Sequence, residues 1–204
     1  PSGVGSSHGF RQHNVVARVD LTDEELHEKI QTTLGNTYEL TDHDWDWHRL
    51  LCNISMHLDL NYDKAEEHGK RAYELNPNNP TVLASYGKSL VQNEKCKRGV
   101  ELLRKAQELS PLSQQLIDDL VWGSYALGDY DSCIQFSEKI RKIKPNTWLL
   151  KITSLGALKR LDERGEEVDQ LIESHGKDEL DVQLEKLNFN NIEISKSTRK
   201  SILD

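Results

Sequence analysis

A chain of 204 residues with a net charge of −8 and a hydrophobic content of 36% is long enough for one domain or for a run of small repeats. No apolar run approaches the roughly 20 residues that a membrane-spanning helix needs, and the acidic balance argues against nucleic acid, whose phosphates are met by clustered basic faces. The three cysteines, Cys52, Cys96 and Cys133, form no CxxC pair; they read as buried, reduced thiols of a cytoplasmic protein rather than as a disulfide frame or a zinc site.

Residues 1–19 are rich in glycine and serine and then polar, which reads as a flexible segment. A start at Pro1 without methionine suggests a fragment or a processed product. The glycine-rich "GVGSSHG" carries no GKS or GKT and follows no strand, so it is not a phosphate loop. Residues 20–40 hold one amphipathic helix, Leu21–Leu34, ending near Gly35 and placed to cap the helices after it. It opens "LTDEEL", and "LTDHDW" (Leu40–Trp45) repeats that layout. In each, a threonine stands as N-cap, an acidic residue three later can return a capping bond, and the leucine before the cap can staple to the helix.

The second of these openings runs into "DHDWDWH" (Asp42–His48), the densest group of metal-capable side chains in the chain. His43 and His48 are five apart, about 140° around a helix, so they face apart. Asp44 and His48 could share a cation, but two ligands make no site and no HExxH accompanies them. Helical spacing continues through Trp47, Leu50, Leu51, Ile54 and Leu58, so the cluster reads as a helix start. No metal and no cofactor is expected.

From here the chain repeats. Pro77, Pro111 and Pro145 follow one another at steps of 34 residues; so do Ala65, Gly99 and Cys133, and so do Ala72, Ala106 and Ile140. Small residues at a fixed period let two antiparallel helices approach closely, and the prolines read as stops after each second helix. This pattern resembles the tetratricopeptide repeat (TPR), a helix–turn–helix unit. The units fall near 46–79, 80–113, 114–147 and 148–175. In the last, Val168 takes the small-residue column one residue late. Residues 176–204 read as a capping helix, "DELDVQLEKL", and a polar tail.

The resemblance implies an all-α right-handed superhelix, an α-solenoid whose concave wall is lined by the first helix of each unit. The inward columns are then Trp47, Leu50, Ile54 and His57; Thr81, Ala84, Lys88 and Val91; Gln115, Asp118, Trp122 and Tyr125; and Leu150, Thr153, Ala157 and Arg160. From them Trp47, Leu50, Ile54, Lys88, Val91, Trp122, Tyr125 and Arg160 are expected to bind a partner. The asparagine/lysine/arginine clamp of TPR cochaperones is incomplete here: only Lys88 and Arg160 match, and the paired asparagines are missing. What remains is an apolar and aromatic groove suited to a helix or an extended peptide, with Trp122 and Tyr125 either binding or packing on neighbouring repeats.

A finer similarity joins "IKPNTWLLKITSLGALKRLDERGEEV" to the C-terminal TPR segment of bacterial nucleotide cyclases and related winged-helix signalling proteins. The expected function is a non-catalytic protein–protein interaction module of a larger regulatory or signalling protein, with a protein or peptide partner and self-association possible. The alternative is a small helical enzyme, or the regulatory domain of a nucleotide cyclase whose activity lies elsewhere. Lys95, Lys97, Arg98, Arg104 and Lys105, then Lys139, Arg141, Lys142 and Lys144, give the second helices a basic bias. That bias reads either as a solvated outer face or as a docking strip for an acidic partner.

Overall fold

The computed structural model describes residues 43–176, which belong to the second of two compact units, residues 1–38 and 39–204. The flexible segment expected at 1–19, the capping helix at 20–40 and the C-terminal cap and tail at 177–204 lie outside the described residues. Within the described residues eight helices follow one another and no strand occurs. They are α1 (Trp45–His57), α2 (Tyr62–Leu75), α3 (Pro80–Gln92), α4 (Cys96–Leu109), α5 (Gln114–Leu127), α6 (Tyr130–Ser137), α7 (Pro145–Ala157) and α8 (Leu161–His175).

Consecutive helices pack on one another throughout, and α1 also meets α3, α3 meets α5 and α5 meets α7. The odd-numbered helices therefore make one continuous wall, with the even-numbered helices layered outside it. This is the α-solenoid that the period implies, a chain of units each buried only against its neighbours. The small-residue columns sit at the tight crossings: Ala65 and Cys133 are 0% exposed and Gly99 is buried. At the end of the array Trp148 Nε1 and Lys151 Nζ on α7 both reach the Glu167 carboxylate, each at 2.6 Å, which clasps α8 to α7.

Turn geometry fixes the register independently of side chains. Leu60 (φ 52°), Glu94 (φ 61°), Gly128 (φ 79°) and Lys159 (φ 60°) are the left-handed residues of the described chain that join a wall helix to its outer partner. Each stands just before the N-cap of an outer helix: Asn61, Lys95, Asp129 and Arg160. The first two steps are 34 residues, as expected. The third, from Gly128 to Lys159, is 31.

The shortfall lies in α6. Helices α2 and α4 have 14 residues each, whereas α6 has 8. Ser137 turns its hydroxyl back onto the Ile134 carbonyl at 2.7 Å, and Ile140 folds onto the core of Val121, Cys133 and Leu149. Lys144 is extended (ψ 150°), as a residue before proline must be. Pro145 then opens α7, where its missing N–H costs no bond.

Three sequence expectations are corrected as a result. Pro145 matches Pro80, which opens α3, and not the turn prolines Pro77 and Pro111. The last pair begins at 145 rather than 148. Arg164, not Val168, follows the N-cap of α8 at the offset that Ala65, Gly99 and Cys133 keep in their helices. The start of α1 differs as well: Asp44 is its N-cap, accepting from the Asp46 N–H at 2.9 Å, in place of Thr41. Asp44 is one side chain from the first helical turn, so it takes the orphan N–H directly.

Only Gly128 among the four left-handed turn residues is free of a Cβ, and a side chain in that conformation costs about 1–2 kcal/mol. Lys159→Gly should therefore raise stability by about 0.5–1 kcal/mol after the unfolded-state entropy of glycine is set against it. Denaturant unfolding of that variant checks the value.

Candidate functional site

The wall is built from α1, α3, α5 and α7, and each sequence-derived site residue can be placed on it. Leu50 and Ile54 on α1 are half-buried, with His57 at the rim. Lys88 on α3 is half-buried too, its side chain 23% exposed. Trp122 and Tyr125 on α5 are partly covered. Trp47 and Val91 do not belong to an accessible surface. Trp47 is 2% exposed and Val91 4%, Val91 being locked into a core with Val100, Leu103 and Leu120. Helical direction placed these two on the inner face, but they wedge beneath it.

Arg160 is corrected most plainly. The 31-residue step moves the wall column of α7 to Asn146, Leu149, Thr153 and Gly156, counted from the helix start. Arg160 falls past the end of α7 as the N-cap of α8, and its guanidinium pairs with Glu163, Nε to Oε1 at 2.7 Å. The structure thus brings Leu50, Ile54, Lys88, Trp122 and Tyr125 to the wall and leaves out Trp47, Val91 and Arg160.

Trp122 has a packing role: it lies against the Val91–Val100–Leu103–Leu120 core on one side and the Val121–Cys133–Leu149 core on the other. Tyr125 packs on the second of these and meets Tyr130 edge-on, 5.8 Å between ring centroids. Burial raises its hydroxyl pKa, so the phenol stays neutral. Leu50, Ile54, Ala84 and Lys88 are half-buried wall positions of α1 and α3, with His57 and Thr81 exposed at the ends of their columns.

The charged centre of the wall includes a residue that the column reading missed. Asp119 on α5 is 8% exposed. Its Oδ1 accepts from Gln115 Nε2 at 3.0 Å, and its Oδ2 lies 3.9 Å from Lys88 Nζ, an ion pair too long for a hydrogen bond. Beside it Asp118 takes Lys144 Nζ at 2.7 Å and the Thr147 hydroxyl at 3.3 Å. On the other side the Lys88 charge reaches His57, whose pKa is lowered first by burial and then by that charge. A line of polar groups, His57–Lys88–Asp119, crosses three wall helices. Its signal in the sequence is a carboxylate at a position where the preceding repeats place Leu51 and Ser85, both buried.

Burial raises the Asp119 carboxyl above its ordinary value, and Lys88 and Gln115 pull it only partly back. The raised folded pKa means that the native state holds the proton more tightly than the unfolded chain. This contribution is complete below the unfolded pKa of about 4 and is lost as pH rises through the folded value. Asp119→Asn should consequently be more stable than the parent at neutral pH, with the difference closing towards pH 4. Chemical unfolding across that range measures it.

Among the described residues the cysteine thiols are covered rather than activated. Burial pushes the thiols of Cys52 and Cys133 up to about 11, so neither is a thiolate at neutral pH. Cys96 is half-buried rather than buried. "DHDWDWH" ends in a core contact, His48 Nδ1 lying 3.2 Å from His68 Nδ1. Among the described residues no three His, Cys, Asp or Glu side chains are grouped to hold a metal, and no helix is long and apolar enough to cross a membrane.

The chain matches no protein-family profile and no curated protein. Solved structures do share its fold. MamA aligns at 21% identity and a TM-score of 0.59 over 72% of this chain and 89% of that one. YrrB, described as a TPR protein with an unusual peptide-binding site, aligns at 14% identity and a TM-score of 0.58 over 88% and 92%. PilF of Pseudomonas aeruginosa aligns at 16% and 0.57 over 87% and 89%. At these identities the likeness is one of fold, and the fold is that of tetratricopeptide repeats.

Proposed function

We propose that this tetratricopeptide-repeat solenoid is a non-catalytic interaction module whose wall of α1, α3 and α5 takes a segment of a partner protein, as part of a larger regulatory protein in a cytoplasmic setting. The observation that carries this reading is Lys88. Lys88 is a half-buried cation with a single long ion pair among the described residues, and it shares the wall columns with the half-buried Leu50, Ile54, Ala84 and Trp122. An apolar wall around one under-satisfied charge is suited to a segment that offers apolar side chains beside one acidic residue. The peptide-binding description of YrrB, which shares the fold, supports the same reading. A second acidic residue is not called for, because Arg160 stands off the wall.

Selection from a random-peptide display library against the full chain tests it. The expected yield is peptides with one Asp or Glu next to Leu, Ile or Phe, binding Lys88→Gln at least about tenfold more weakly, as the loss of a charge-assisted bond implies. Peptides without an acidic position, held equally by Lys88→Gln, would end the proposal.

A further inference from the structure

Beyond the wall, the outer helices carry exposed charge that the groove does not use. On α4, Lys97 and Arg104 lie two turns apart on one face, both exposed, with Glu101 and Glu108 alternating with them, so the uninterrupted run of cations begins at the end of α6. The Phe136 ring on α6 takes the Arg104 guanidinium at 5.4 Å and Lys139 Nζ at 5.0 Å from its centroid. Arg141 and Lys142 continue this ledge along the link that replaces the missing part of α6, fixed by the Arg141 N–H donating to Gln114 Oε1 at 3.1 Å. Arg104 has Asp129 at 3.6 Å; Lys97, Lys139, Arg141 and Lys142 make no ion pair among the described residues.

Helix α8 shows the opposite pattern. Asp162, Glu166, Asp169 and Glu173 are spaced by four, three and four, so they form one exposed stripe about 16 Å long. None makes an ion pair among the described residues. Like charges four apart on a helix repel and destabilise it, a cost that cations from outside would remove. Asp131 and Glu138 extend the acidic side of the surface, their charges reaching Arg160.

We infer that two copies of this chain pair through their outer faces, the ledge of Lys139, Arg141 and Lys142 on one copy meeting the stripe of Glu166, Asp169 and Glu173 on the other. An acidic partner would satisfy the ledge alone, whereas a copy of the chain supplies carboxylates for the ledge and cations for the stripe at once. In the arrangement inferred, a two-fold axis sets each ledge, at the end of α6 and the link after it, on the other copy's α8 stripe, so each patch is used twice and the assembly closes as a dimer. The attraction is between exposed charges and is therefore strongly screened by salt.

Sedimentation velocity of the full chain reads this directly. A dimer is expected at low ionic strength, where the screening length is about 30 Å, and a monomer in about 1 M salt, where it is about 3 Å. The reversed variants Lys139→Glu/Arg141→Glu/Lys142→Glu and Glu166→Lys/Asp169→Lys/Glu173→Lys should each be monomeric at low salt, with helix content intact by circular dichroism. Mixed in equal amounts they should associate again, because each supplies the charge the other has lost. A parent protein that is monomeric at low salt, a reversed variant that still dimerises alone, or a mixture that stays monomeric would overturn the inference.

Discussion

Gly99→Ala is expected to lower the stability of the array by about 3 kcal/mol, the upper end of what overpacking costs. A Cβ at Gly99 would stand 2.5 Å from Val91 Cγ2, 2.6 Å from the Gly87 carbonyl oxygen and 3.0 Å from the Val91 nitrogen. Two of those three atoms are backbone, so no rotamer change relieves the contact and α3 and α4 must move apart. That movement opens the core of Val91, Val100, Leu103 and Leu120, which Gly123 of the next helix also approaches. Gly165→Ala on α8 is the matched control. Its Cβ would meet nothing within 4 Å, so the substitution should stabilise by about 0.8–1 kcal/mol through helix propensity alone. Equilibrium unfolding in denaturant measures both, and a Gly99→Ala protein as stable as its parent would refute the close crossing.

Trp122→Ala comes second in expected size. The indole bridges two cores, and truncation of a buried Trp costs about 3–5 kcal/mol. Because Trp122 is only partly covered, the lower end, about 3 kcal/mol, is the expectation. The loss should appear as a lower unfolding midpoint for the repeats around α5. Affinity for a selected peptide should fall less at Trp122→Ala than at Lys88→Gln, since packing occupies most of the ring. A variant of unchanged stability that no longer binds would reverse these roles.

The helix pairs were legible in the sequence because close helix crossings leave a chemical imprint: Ala65, Gly99 and Cys133 are small because nothing larger fits. The shortened third repeat was not legible, since Pro145 keeps the step of 34 by position while performing the role of Pro80. Only the backbone reveals this, through the left-handed residue at 159 rather than 162. Arg160 was misplaced by the same slip. Trp47 and Val91 show a different limit. Helical spacing gives the direction of a side chain but not its depth: Val91 sinks against Val100 and Leu103 of the outer α4 and Leu120 of α5, and Trp47 is 2% exposed. Asp119 was overlooked because its column is apolar or small in the other repeats, and its charge is tolerated only where Lys88 and Gln115 reach it.

The proposed receiver of the partner segment is the wall and not the outer layer. Hydrogen exchange of the full chain with and without a display-selected peptide tests it most directly, since the amides of whichever layer is covered become slower to open. Added protection on α1, α3 and α5, centred on Leu50–Ile54 and Ala84–Lys88, is the predicted result. Protection confined to α2, α4 and α6, with the wall helices unchanged, would contradict it.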